Sequence, residues 1–238
     1  MATPRYEIPL YTRIFRAILR PIFRLFFSSL SQVNISGIEN IPKKGAYLIA
    51  INHVSLFEAP FILAFWPVAP EAVGAVDIWS RPGQSLLARL YGGIPVHRGE
   101  YDRKLIDRML SALKSGRPLV IAPEGGRSHT PGMRKALPGV AHVIDQAGVA
   151  VVPAGINGAT DDFLSLALRG KRPQIEMKIG APLSFEPILD RGENKRQKRQ
   201  ANADQIMYRI AELLPPEYRG EYAVPNLNKN EPDTARKT

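Results

Sequence analysis

The segment Asn52-His53-Val54-Ser55-Leu56-Phe57-Glu58 sets a histidine five residues before a carboxylate. A carboxylate on an imidazole selects its tautomer and steadies the charge formed when the ring takes up a proton, so the pair is a minimal general-base unit. The spacing restricts where the two can meet. On a regular helix, residues five apart point roughly 140° away from each other. His53 must therefore lie in the turn ahead of a helix, with Glu58 in its first turn. Ser55-x-x-Glu58 has the form of a capping box, which would start a helix at Ser55 and put Glu58 at its third position. Taken alone, the segment also reads as a plain helix cap behind an ordinary strand-end histidine.

Three more segments carry residues suited to a substrate. Tyr91-Gly92-Gly93-Ile94-Pro95-Val96-His97-Arg98-Gly99 places glycines where backbone can approach a ligand, and Arg98 offers a planar fork for a phosphate. A connector with an exposed arginine would look the same. In Ile121-Ala122-Pro123-Glu124-Gly125-Gly126-Arg127-Ser128, Glu124 could accept hydroxyls while the Gly125 and Gly126 amides and Arg127 take a phosphate. A tight turn with a Glu–Arg ion pair fits equally. Val151-Val152-Pro153-Ala154-Gly155 is an apolar strand end, with core packing as its simplest role. His97, His129 and His142 have no ligand-like spacing, so no metal site is expected. A G-x-S-x-G nucleophile elbow is missing, and Ser55 is better placed as a cap than as a nucleophile.

The surrounding pattern alternates strands and helices. Buried-strand runs occur at Ala46–Ile51, Pro118–Ala122 and Val149–Pro153, with further extended pieces at Val33–Ser36, Ala72–Val76, Ile94–Val96 and Ile175–Ile179. Helical segments are expected at Ser55–Phe65, Ser85–Leu90, Asp102–Leu113, Val140–Gln146 and Lys198–Leu214. This order predicts an α/β fold: a single domain with a central, largely parallel sheet flanked by helices. The first and third chemical segments both follow strands, and strand ends are where open α/β sheets hold their ligands.

The chain has 238 residues, a net charge of +10 and no cysteine. Disulfides, zinc–thiolate sites, iron–sulfur clusters and a cysteine nucleophile are thereby excluded, and a reducing compartment fits. The positive charge implies an anionic partner. Arg191, Lys195, Arg196, Lys198 and Arg199 read as a solvated loop leading into a helix. Arg13, Arg16, Arg20 and Arg24 recur at spacings of three and four, while Phe15, Ile18, Leu19, Ile22, Phe23 and their neighbours cover the rest of the helix. A basic face beside an aromatic and aliphatic one describes an interfacial membrane helix, with Pro21 expected to kink or divide it. The arginines interrupt the run, so it lacks the ~20 apolar residues of a transmembrane helix. It also lacks a secretory cleavage site. Nucleic acid is disfavoured as a partner, because no nucleic-acid-binding signature accompanies the charge. Residues 1–30 are thus read as an amphipathic membrane-interface helix, 31–216 as the folded domain and 217–238 as a polar, poorly ordered tail.

In this order the four segments resemble the glycerolipid acyltransferase family, whose best-known members are the 1-acyl-glycerol-3-phosphate acyltransferases. That family carries an N-H-x-x-x-x-D block, a G-x-I-P-V-x-R-G-like block, an E-G-T-R-S block and an apolar block with proline. Here they are Asn52–Glu58, Gly92–Gly99, Glu124–Ser128 and Val151–Gly155, within a resemblance spanning residues 33–185. Two positions depart: Glu58 stands for the family aspartate and Gly126 for its threonine. The resemblance implies a catalytic His53 oriented by Glu58. It implies acceptor phosphate and glycerol binding by Arg98, Glu124, Gly125, Gly126, Arg127 and Ser128, with Pro95 and Pro153 in the acyl pocket or the core beside it. The donor would be acyl-CoA or acyl carrier protein, with no cofactor. The acceptor would be lysophosphatidic acid, and the protein would work peripherally or monotopically on the cytoplasmic face of a membrane. Another lysolipid acceptor, or a non-catalytic lipid-binding member of the family, are the other readings.

Overall fold

The computed structural model describes residues 6–97, 102–189 and 191–223. Strands β1 (Gln32–Ser36), β2 (Tyr47–Ile51), β3 (Glu71–Ala75), β4 (Ile94–Val96), β5 (Leu119–Ile121), β6 (Ala150–Asn157) and β7 (Gln174–Ile179) form one sheet in the order β1-β7-β6-β2-β5-β3-β4. Every neighbouring pair is parallel except β6 and β7. The helices are α1 (Leu10–Leu30), α2 (Glu58–Phe65), α3 (Gln84–Tyr91), α4 (Arg103–Lys114), α5 (Gly139–Ala147), α6 (Phe163–Leu168) and α7 (Gly192–Leu213). The expected α/β domain with a largely parallel sheet is what forms.

Strand β2 is buried along its whole length because both faces of the sheet are covered. Leu48 and Ala50 join the core under α4, α5 and α7, with Met109, Leu113, Ile144 and Ile206. Tyr47, Ile49 and Ile51 point the other way, into an aromatic-rich core with Phe27, Phe61, Trp66 and Phe163 under α1, α2 and α6. The alternation along β2 therefore binds two cores into one domain and carries the chain to His53 at the sheet's carboxyl edge.

Three sequence expectations change. First, α1 runs unbroken through Pro21, and Arg16, Arg20 and Arg24 reach inward while Arg13 stays exposed. Arg16 is buried and forms a two-pronged ion pair with the buried Glu71, with both contacts at 2.7 Å. Arg20 donates from Nε to the Leu63 carbonyl at 2.9 Å and also reaches the Trp66 carbonyl. Arg24 Nε donates to the Ala64 carbonyl at 2.7 Å. These carbonyls close α2, whose last turn has no intrahelical donor for them, so the guanidiniums cap one helix from another. The opposite face of α1 exposes Leu10, Tyr11, Ile14, Ile18, Ile22 and Leu25.

Second, α7 starts at Gly192, so Lys195, Arg196, Lys198 and Arg199 lie on helix and not in a loop, with Arg191 just ahead of it. Third, the domain continues past 216. Tyr218 and Tyr222 are buried, with the Tyr222 hydroxyl donating to Asp204 at 2.6 Å and accepting from the Ala136 N–H at 2.9 Å. A polar stretch with two tyrosines can still dock when each ring is buried and each hydroxyl finds a partner.

Candidate active site

His53 and Glu58 meet. The ring Nδ1 lies 2.9 Å from Glu58 Oε2. The same carboxylate accepts the Val54 N–H at 2.8 and 2.9 Å on its two oxygens and the Ser55 N–H at 3.1 Å. The helix starts at Glu58 itself, not at Ser55. The return bond of a capping box is made, but the Ser55 hydroxyl donates instead to the Ala159 carbonyl and accepts the Phe57 N–H at 3.0 Å. Ser55 is tied to the chain after β6 and is not a nucleophile.

Glu58 is 1% exposed against 20% for His53. Burial pushes the Glu58 carboxyl above its usual range, and the His53 ring and the Val54 and Ser55 amides pull the other way. With Nδ1 directed at the carboxylate, Nε2 is the ring nitrogen left to take a substrate proton.

The loop carrying His53 is strapped on every side. Both amide atoms of the Asn52 side chain pair with Ile156 backbone, each at 2.8 Å, which prolongs the β2–β6 ladder beyond the end of β2. The His53 N–H donates to Glu124 Oε1 at 2.8 Å, and its carbonyl accepts the Ser128 N–H at 2.9 Å. The His129 N–H reaches the Val54 carbonyl at 3.0 Å. Sequence reasoning missed Asn52; a short amide residue directly after an apolar strand was the available signal.

Glu124 has a different job from the hydroxyl acceptor expected of it. It is buried, and its second oxygen accepts the Arg134 N–H at 2.7 Å. Both oxygens thus serve backbone, and Glu124 positions His53. Burial raises its pKa to about 7, against the Arg134 and His53 amides that lower it. Ser128 is likewise scaffold, its hydroxyl donating to the Thr130 carbonyl at 2.6 Å.

Gly125, Gly126 and Arg127 do reach the site: all three line the cavity that holds His53. Gly125 has φ of 68°, a left-handed backbone that favours glycine, and a Cβ there would come within 2.4 Å of Leu137 Cδ1, so that side chain would have to move. Arg127 Nη1 stands 3.8 Å from Asp161 Oδ1, and Asp161 also accepts the Leu56 N–H at 3.3 Å. Asp161 is a site residue that the sequence did not single out.

Pro95 and Pro153 do not line the cavity. Pro95 sits in β4 opposite Gly74, and it is Gly74 and Val96 that reach the cavity. Pro153 packs in β6 against Gly180, where a Cβ would stand 3.0 Å from its ring. Arg98 lies outside the described residues.

The cavity itself is about 690 Å³ and mainly apolar, drawing on Ile51, Ile62, Val73, Ile78, Val120 and Val140 among others. It has the size and lining of a site for a lipid-like ligand with a few polar groups at one place. Among the described residues no group of side chains is arranged to hold a metal ion.

A buried strand leads to a carboxylate-held histidine that lines an apolar cavity together with Arg127, an arrangement suited to acyl transfer. The family model described as Acyltransferase matches residues 32–157, and the chain belongs to this family, the glycerolipid acyltransferases. It is 30% identical over 187 residues to the lyso-ornithine lipid O-acyltransferase of Pseudomonas aeruginosa, covering 71% of this chain and 70% of that one. An uncharacterised protein of Mycobacterium tuberculosis is 33% identical over 115 residues, covering 46% of this chain and 30% of the relative. The crystal structure of the 1-acyl-sn-glycerophosphate acyltransferase PlsC from Thermotoga maritima superposes with a TM-score of 0.59 at 22% identity, covering 82% of this chain and 80% of that one.

Proposed function

We propose that the protein transfers a fatty acyl group from a thioester, acyl-CoA or acyl carrier protein, to the sn-2 hydroxyl of lysophosphatidic acid. His53 Nε2 takes the hydroxyl proton as that oxygen attacks the thioester carbonyl. The tetrahedral intermediate collapses, the C–S bond breaks, and the thiolate recovers the proton from His53. The products are an ester and a free thiol, and no acyl-enzyme is needed because the acceptor is the nucleophile. Arg127 offers the acceptor phosphate a guanidinium beside His53.

The observation that carries this reading is the 2.9 Å His53–Glu58 pair opening onto an apolar cavity. Glu58 opens α2 and still reaches His53 at 2.9 Å, so the departure from the family aspartate leaves the pair intact.

The assay is thiol release and lipid product with purified protein, two donor types and a panel of lysolipids. Phosphatidic acid formed fastest from lysophosphatidate supports the reading. No turnover with any lysolipid and either donor would leave a lipid-binding role in its place. A second acceptor has a specific observation behind it: the Pseudomonas relative acts on a lyso-ornithine lipid. Faster turnover of that acceptor in the same panel would replace lysophosphatidate by it.

The site works at a membrane surface in this reading. No described helix is long and apolar enough to cross a bilayer. The outward apolar stripe of α1 suits shallow insertion instead, which makes the protein peripheral or monotopic, on the cytoplasmic face where thioester donors are made.

A further inference from the structure

The first turns of α7 form a second cationic wall in the cavity that holds His53. Gly192, Lys195, Arg196 and Arg199 line it, and so does His142 of α5. Asp77 and Asp102 line the same cavity, and among the described residues one acid, Asp145, is paired with this group. Asp145 lies 3.1 Å from Arg199 Nη2 and 3.6 Å from Lys195 Nζ, and it also accepts the Ile188 N–H at 3.0 Å.

Much donor capacity is left over. Arg196 is exposed and has no ion pair among the described residues. Arg199 Nε and His142 Nδ1 are buried without a hydrogen-bond partner. The helix start adds the positive end of a long helix dipole. Three cations with a single ion-paired carboxylate between two of them, together with unpaired donors and a helix start, make a site for a phosphate.

This wall comes from a different element than Arg127, which belongs to the loop after β5. Two substrates meet at His53, and each brings an anion. The neighbouring cavity wall at α4 and α5 is apolar, with Ile106, Met109, Val140 and Val143. We propose that Lys195, Arg196 and Arg199 bind the phosphate of the pantetheine carrier of the thioester donor, leaving Arg127 to the acceptor. This rests on the acyl-transfer reading, and it assigns the basic run of α7 to the donor.

The test uses the full chain and the double variant Lys195→Ala/Arg196→Ala, with Arg199 kept because it holds Asp145. Equilibrium binding of CoA is measured by calorimetry, which needs no turnover. KM and kcat are then measured for acyl-CoA, acyl-phosphopantetheine, acyl carrier protein and the phosphate-free acyl-pantetheine.

We expect the double variant to raise the CoA Kd and the KM of phosphate-bearing donors by about tenfold or more, as loss of one or two charge-assisted hydrogen bonds implies. Its kcat at saturating donor and its KM for acyl-pantetheine stay within about twofold of wild type. A rise shared by all three phosphate-bearing donors identifies the pantetheine phosphate, and a rise confined to acyl-CoA overturns that assignment in favour of a nucleotide phosphate. An equal rise for acyl-pantetheine, an unchanged KM for every phosphate-bearing donor, or a wild type with no preference for phosphate-bearing donors overturns the assignment. CoA binding that weakens in the variant, in a protein that acylates no lysolipid, keeps this site and removes the acyl-transfer reading. If the double variant fails to fold, Arg196→Glu alone gives the same readouts from an exposed position.

Discussion

The Glu58 carboxylate holds the His53 ring at 2.9 Å and at the same time accepts the Val54 and Ser55 amides ahead of its own helix. Orientation of the base and the start of α2 are therefore one structural event. Removing the negative charge should disturb catalysis more than folding. We expect Glu58→Gln to lower kcat by on the order of 10²–10⁴-fold and His53→Ala by ~10³-fold or more, with thermal midpoints near wild type for the latter. Steady-state kinetics of thiol release checks both, and a His53→Ala enzyme with full activity would remove His53 from the chemistry.

Glu124 makes stability depend on pH. Its pKa is raised from 4.5 to about 7 by burial, so between those values the folded chain keeps a proton that the unfolded chain has released. Folding then takes up protons, and stability falls as pH rises through that window, levelling off above about 7. In Glu124→Gln this part of the slope disappears. Thermal midpoints collected for both proteins from pH 4.5 to 8 read the difference directly, and parallel profiles would mean that Glu124 does not titrate there.

Arg16 and Glu71 join α1 to the edge of β3 inside the protein, with Arg117 Nε adding a third contact at 2.6 Å. Cutting only one side strands a buried charge. Glu71→Ala should cost about 3–5 kcal/mol, while the paired change Arg16→Met/Glu71→Leu should recover most of it. Urea unfolding of the three proteins tests this, and a double variant as unstable as Glu71→Ala would show that the charges contribute more than their mutual compensation.

The exposed residues Ile14, Ile18 and Ile22 make little contribution to the core, so replacing all three by serine should leave the fold intact. Partition onto anionic vesicles should drop by about tenfold or more in a flotation assay, since the apolar area available for insertion is lost. Equal partitioning of wild type and variant would place the lipid contact elsewhere. Replacing Arg20 or Arg24 should instead destabilise the protein, because those side chains cap α2.

The strand order, every helix but α6 (Phe163–Leu168), the His53–Glu58 pair and the glycine-rich turn after β5 were legible in the linear chain. Each rests on short-range periodicity or on residues that meet through a single turn. Element boundaries were less so: α7 begins six residues ahead of the expected Lys198, since a charged, weakly periodic stretch gives little local sign of a helix start. The buried Tyr218 and Tyr222 were read as tail for the same reason, as their partners Gly158, Ala136 and Asp204 lie far away in the chain.

Residue order alone thus determined which side chains share a face and which can meet across one turn. Tertiary structure alone decided which face is turned inward. Arg16, Arg20 and Arg24 on α1 could have faced lipid; they face the protein because the end of α2 and the buried Glu71 offer them acceptors. Glu124 could have faced a substrate; it faces backbone because the His53 loop passes over it. Periodicity fixes angles about an axis, whereas the rotation of that axis against its neighbours depends on partners that local sequence does not contain.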